Sequence, residues 1–145
     1  MREVKQVIVV RKNLNMRKGK TVAQSGHGIL YSILDKMKVL PINNYSDKPP
    51  NDDKMILTLS LKTDGSDPMY EWLFNQMTTK ICLWVDSLTD LMRIYSETRI
   101  AKIPCTIVKD LGKTEFNNRP TITCCVIGPW WSDEIDKITG GLPLL

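Results

Sequence analysis

MRKGKTVAQSGHGILY, residues 16–31, decides how the chain reads. It follows the β-like run Val4–Val10 and opens an amphipathic helix. At about 100° per residue, Lys20, Gln24, His27 and Tyr31 form one stripe. Val22, Gly26, Ile29, Ile33 and Met37 form another, which the spacing assigns to the core. The two stripes are adjacent, whereas a solvated face normally points away from the core. Two readings fit: a soluble helix with one satisfied histidine, or a polar stripe lining a cleft at the core's edge.

Before this stretch, VKQVIVV (4–10) is rich in β-branched residues and reads as a central strand buried on both faces. Arg11–Gly19 is a basic loop, and the helix spans about Lys18–Met37, with Pro41 ending it. Pro41, Asn43, Asn44, Pro49, Pro50 and Asn51 make a loop. MILTLSL (55–61) alternates like a half-buried edge strand, with Met55, Leu57, Leu59 and Leu61 inward.

Asp67-Pro68 starts a helix, with Asp as N-cap and Met69, Trp72 and Met77 as core. ICLWV (81–85) is a buried strand. Ser87–Asp90 resembles a capping box, and Leu88, Leu91, Met92 and Tyr95 give the next helix its apolar face. A strand, Cys105–Val108, leads to the loop Asp110–Thr114. The Asn117–Pro120 turn brings back an antiparallel strand, Thr121–Ile127, which Gly128-Pro129 stops. Ser132 caps a last helix to Ile138, ended by Gly140-Gly141. This order predicts one α/β domain, a mixed β-sheet sandwiched between helices, with an extra edge strand at 55–61.

With 145 residues, the chain is long enough for one sizeable core. No apolar run is long enough for a membrane span, and the charged N-terminus does not read as a signal peptide. A soluble, cytoplasmic protein is expected. Cys82, Cys105, Cys124 and Cys125 sit in strand-like runs without metal spacing, so they read as buried thiols and no metal is expected. Cys124 and Cys125 should face opposite sides of a strand. Residues 1–40 carry nine cations against two anions, a net +7 that leaves −3 for the rest of a +4 chain. That asymmetry suits a polyanionic partner such as nucleic acid.

Gly19-Lys20-Thr21 imitates a P-loop, but Leu14 stands where the motif's first glycine belongs. Gly112-Lys113-Thr114 fails likewise, with Ile107 at that place. His27 is the only imidazole and no G-x-S-x-G occurs, so a serine triad is unsupported. What remains is Asp110 and Thr114 on a strand-end loop, with Lys20, Gln24 and His27 on the helix facing it. A carboxylate can orient and deprotonate water. An ammonium and a carboxamide can stabilise an oxyanion. Such a set could hydrolyse an ester without a cofactor or covalent intermediate. The plainer reading gives Asp110 a turn, Thr114 a backbone bond and Lys20 only solvent.

VIVVRKNLNMRKGKTVAQSGHG (7–28), Lys80 with VDS (85–87), IPCTIVKDLGKTEF (103–116), RPTITCCVIGP (119–129) and EIDKITGGLPLL (134–145) together resemble one family. It is that of the peptidyl-tRNA hydrolases of the archaeal and eukaryotic type. The resemblance implies cleavage of the ester between peptide and tRNA, with peptidyl-tRNA as partner, no cofactor and a homodimer. It places Lys20, Gln24, Asp110 and Thr114 in catalytic roles, His27 and Lys80 in support. Lys12, Arg17 and Lys18, in or beside the first loop, are the expected tRNA contacts. Residues 1–145 then form a single such domain, with 38–66 an extended insertion. The alternative is a non-catalytic RNA- or protein-binding module on the same fold. Gly26 and Gly28 replace the family's usual alanines beside the histidine, which either loosens the helix or permits a close backbone approach. Trp130-Trp131 is an unusual pair, suited to an interface or to stacking on a base.

Overall fold

Val4–Arg11 forms β1, and its residues from Val7 to Val10 are at most 3% exposed. The computed structural model describes residues 1–40 and 55–145. The expected loop of Pro41–Asn51, the helix stop at Pro41 and residues 41–54 of the 38–66 insertion lie outside the described residues.

A short 3-10 turn, Lys12–Leu14, precedes α1, Lys18–Leu34. β2 (Lys38–Leu40) pairs antiparallel with β3 (Ile56–Thr58) as a separate two-stranded sheet. Then come α2 (Pro68–Tyr70), continued by a π turn over Glu71–Asn75, β4 (Lys80–Val85) and α3 (Leu88–Ile100). β5 (Cys105–Asp110), β6 (Thr121–Trp131) and α4 (Ser132–Thr139) complete the order. The main sheet runs β4-β1-β6-β5. β1 is parallel to β4, and β6 is antiparallel to both β1 and β5. β1, β4 and β5 therefore end on the same side of the sheet.

This is the expected α/β architecture, with helices on both faces. Val7, Val9, Leu83, Val85 and Cys125 pack against Leu91 and Ile94 of α3 and Ile135 of α4. On the other face Ile8, Val10, Val108, Cys124 and Val126 meet Met16 and Ile29. Cys124 and Cys125 thus face opposite layers, and burial raises the Cys124 thiol to about 11. Cys82 is exposed and Cys105 half-buried, contrary to the expectation of four buried thiols, because β4 and β5 are the sheet's edges.

Several boundaries differ from the sequence expectation. α1 stops at Leu34 instead of Met37 because the chain turns into β2. The strand expected over 55–61 shortens to Ile56–Thr58 and joins β2, not the main sheet. Met55 and Leu57 are exposed there, so alternation overstated its burial. Leu88 is exposed too; α3 buries Leu91, Ile94 and Thr98. Ser87 caps α3 as expected, accepting from the Asp90 N–H at 3.0 Å, and Asp67 caps α2 by accepting from the Met69 N–H at 2.9 Å. β6 does not stop at Gly128-Pro129. A register shift opposite Lys5–Val7 lets it cross that cis peptide and pair Trp130 with Lys5 and Trp131 with Val4. Trp131 is then the N-cap of α4 and Ser132 its first residue. The tryptophans pack within the chain: Trp130 donates to Glu134 at 2.7 Å, and Arg2 lies 4.6 Å from the Trp131 ring.

α1 buries Gln24, Gly28 and Ser32, not the wider apolar stripe; Val22 is 71% exposed. A Cβ on Gly28 would collide with the Val126 side chain and lie 2.9 Å from Val108 Cγ2. Gly28 therefore lets α1 approach the sheet. Gly26 has open space around it. Gly26→Ala should stabilise the fold by up to about 1 kcal/mol through helix propensity. Gly28→Ala should destabilise it, because overpacking costs ~1–3 kcal/mol against that same gain. Opposite shifts in the urea midpoint check this; a stabilised Gly28→Ala contradicts the close approach.

Candidate functional site

The parallel arrangement brings the N-terminal end of α1 beside the C-terminal end of β5. Asp110 closes β5, and Gly112 follows at φ 82°, a left-handed turn seated on the Arg119 backbone that only glycine fits. The turn points the Gly112 N–H at Asp110 Oδ2, 2.7 Å away. The other oxygen, Oδ1, accepts from Lys20 Nζ at 2.6 Å and from Gln24 Nε2 at 3.0 Å. Lys20 also donates to Thr114 Oγ1 at 3.2 Å. Four expected residues thus form one cluster, flooring a cleft of about 290 Å³ that His27, Tyr31 and Val108 extend.

Lys20 and Asp110 are 14% and 13% exposed, so their pairing is shielded but not dry. Desolvation pushes the Asp110 carboxyl up, but the hydrogen bonds from Lys20, Gly112 and Gln24 and the Lys20 charge outweigh it. The net effect holds Asp110 below its ordinary range. It is therefore an anion and a weak proton acceptor at neutral pH.

Thr123, which no sequence motif singles out, completes the cluster. Fully buried on β6, it donates to Gln24 Oε1 at 2.8 Å, against 3.4 Å to the Val108 carbonyl. One hydroxyl proton serves the shorter bond. Gln24 must then present its NH₂ to Asp110, and one N–H remains for the cleft. Lys20 likewise has three N–H donors and uses two here. No short-range pattern marks Thr123, since it meets Gln24 across 99 residues. Thr123→Val should leave Gln24 free to flip and lower turnover by about tenfold, one hydrogen bond's worth. Full activity in the folded variant would mean that Thr123 does not orient the amide.

His27 is exposed, its ring stacked on Tyr31 with centroids 6.1 Å apart. Gln24, one turn earlier on the same stripe, is buried, because α1 turns that side to the sheet. Thr114 bonds the ammonium and not the carboxylate. Lys80 is not brought to the site. It starts β4 opposite Gln6, at the other end of the sheet, donates to the Thr78 carbonyl at 2.7 Å and lies 4.7 Å from the Trp72 ring. Burial lowers its pKa.

Arg17 and Lys18 are exposed at the N-terminal end of α1, and Lys12 is exposed in the 3-10 turn before it. Arg17 pairs with Glu115 at 2.8 Å, tying the first loop to the Asp110 loop. Lys12 lies 4.2 Å from the Trp84 ring. Among the described residues no group of His, Cys, Asp and Glu is arranged to hold a metal, and no helix is long and apolar enough to cross a membrane.

The family described as Peptidyl-tRNA hydrolase PTH2 matches residues 4–145. A Peptidyl-tRNA hydrolase of Methanocaldococcus jannaschii is 34% identical over 142 residues, 98% of this chain and 100% of its own length. One of Sulfurisphaera tokodaii is 36% identical over 141 residues, 97% of this chain and 98% of its own. A solved protein of unknown function from Agrobacterium shares the fold at a TM-score of 0.52 and 12% identity, covering 100% of this chain and 99% of that one.

Proposed function

The chain belongs to the peptidyl-tRNA hydrolase PTH2 family, and we infer from that membership that it hydrolyses the ester between peptide and tRNA, releasing both. It is an esterase. The observation that carries the mechanism is the sharing of Asp110 Oδ1 by Lys20 and Gln24. Asp110 orients the attacking water through its remaining lone pairs. The uncommitted N–H donors of Lys20 and Gln24 meet the oxyanion that develops on the ester carbonyl. Thr114 holds the Lys20 ammonium in place, and His27 lines the cleft without a proton-transfer role. The reaction needs no cofactor in this scheme.

Lys12, Arg17 and Lys18 bind the tRNA through phosphates. Residues 1–145 work as one domain with 38–66 as an insertion, in the cytoplasm. A homodimer is supported by the apolar residues Val22, Leu30 and Leu34 that α1 exposes; sedimentation at monomer mass across micromolar concentrations would remove it. A non-catalytic binding module finds less support, since a carboxylate kept beside a polyanion site opposes binding.

Incubation with N-blocked aminoacyl-tRNA is the test. Release of the blocked amino acid is expected; tRNA binding without release would favour the module. Affinity measured alongside should fall with salt, by roughly one unit of log–log slope per phosphate contact. A salt-independent affinity would take the basic loop off the tRNA.

A further inference from the structure

We propose that the peptide of peptidyl-tRNA adds as a strand to the open outer edge of β5, parallel to it, with its ester carbonyl at Asp110. This rests on the hydrolytic reading of the Lys20–Asp110 site and adds the seat of the acyl group.

The main sheet has two edges, β4 and β5. The chain covers the first with its own tail: the Trp84 N–H donates to the Pro143 carbonyl at 3.1 Å, and the Leu145 N–H to the Cys82 carbonyl at 3.0 Å. Among the described residues no strand covers the outer edge of β5. Proteins usually blunt such an edge, because its unpaired N–H and C=O groups template another strand. Here the open edge ends at the carboxylate of the site.

Alternation along β5 places Thr106, Val108 and Asp110 on the α1 side. Thr106 donates to Asp35 at 2.9 Å, Val108 joins the core beneath α1, and Asp110 meets Lys20. The stacked rings of His27 and Tyr31 rim the same groove. Farther along α1 and β5 in the same direction lies a hollow of about 430 Å³ bordered by Asp35, Cys105 and Thr106. The polarity is that of the substrate. Arg17 and Lys18 lie at the N-terminal end of α1, on the tRNA side of the ester, and the edge runs the other way.

A peptide whose C-terminal carbonyl sits at Asp110 and whose chain extends toward Cys105 runs parallel to β5. From Asp110 to Thr106 the edge spans about 13 Å, enough for about four extended residues. Main-chain pairing gives affinity without reading side chains, which suits an acyl group of variable sequence.

The test is single-turnover hydrolysis by the full chain of N-acetyl-alanyl-tRNA and of acetylated di-, tetra- and hexa-alanyl-tRNA. Tetra-alanyl-tRNA carrying a backbone N-methyl at successive residues completes the set. The expected kcat/KM rises at least about tenfold from one residue to four and then levels. N-methylation abolishes the gain at alternate residues and spares it at those between. Hydrolysis independent of peptide length, or equal loss at every methylated residue, overturns the strand pairing and leaves the hydrolase standing. Hydrolysis of none of the substrates overturns both.

Discussion

Asp110→Asn should turn peptidyl-tRNA over about 10²–10⁴ times more slowly while still binding tRNA. Loss of a group that acts on the attacking water typically costs that much in rate. The carboxylate accepts from three donors, Lys20, Gln24 and the Gly112 N–H. An asparagine has one oxygen for them, so its NH₂ must face at least one N–H. The Lys20 ammonium then loses its counter-charge at 14% exposure. The stability loss should fall between the ~1 kcal/mol of an exposed pair and the ~3–5 kcal/mol of a broken buried one. Removing a negative charge should leave tRNA affinity equal or slightly tighter. Single-turnover hydrolysis and tRNA titration of the folded variant decide the matter. Hydrolysis at the parent rate refutes the water-orienting role; loss of tRNA binding by a folded variant makes Asp110 an organiser of its loop.

The sign of the pH dependence follows from the same bonds. Asp110 is held below its unfolded value, near 3.9. Its contribution to stability is complete above that value and disappears as pH falls through the lower, folded one. The activity that depends on the anion should therefore persist to pH values below the ordinary carboxylate range. An acid limb near neutral pH would assign the titration to another group.

Lys20→Met should cost about 10²–10³ in rate, the usual loss for one oxyanion donor, whereas His27→Ala should cost less than about tenfold. Lys20 holds both Asp110 and Thr114 and keeps one N–H uncommitted in that cluster. His27 is exposed and its contact is the Tyr31 ring. Methionine keeps the length of the stem and removes the charge, so the two variants separate chemistry from packing. If His27→Ala is the more damaging of the two in single-turnover hydrolysis, the imidazole takes part in the reaction and the roles proposed for α1 must be exchanged.

The sequence alone determined the features that depend on near neighbours. The β-branched residues that dominate 4–10, consecutive from Val7 to Val10, marked the central strand, since a strand buried on both faces tolerates few polar breaks. The Lys20, Gln24, His27 and Tyr31 stripe came from helical spacing, and all four border one cleft. The caps at Asp67 and Ser87 were legible because a cap is made with a backbone N–H two or three residues on. Tertiary structure decided whatever depends on a partner far along the chain. α1 turned Gln24, Gly28 and Ser32 to the sheet because close approach over Val108 and Val126 needed a missing side chain more than an apolar one. β6 crossed Gly128-Pro129 because β1 was there to pair with it. Lys80 went to the far end because β4 is parallel to β1. Thr123 entered the site across 99 residues. Local spacing says which side chains share a face; only the packing of that face against the rest of the chain says what it touches.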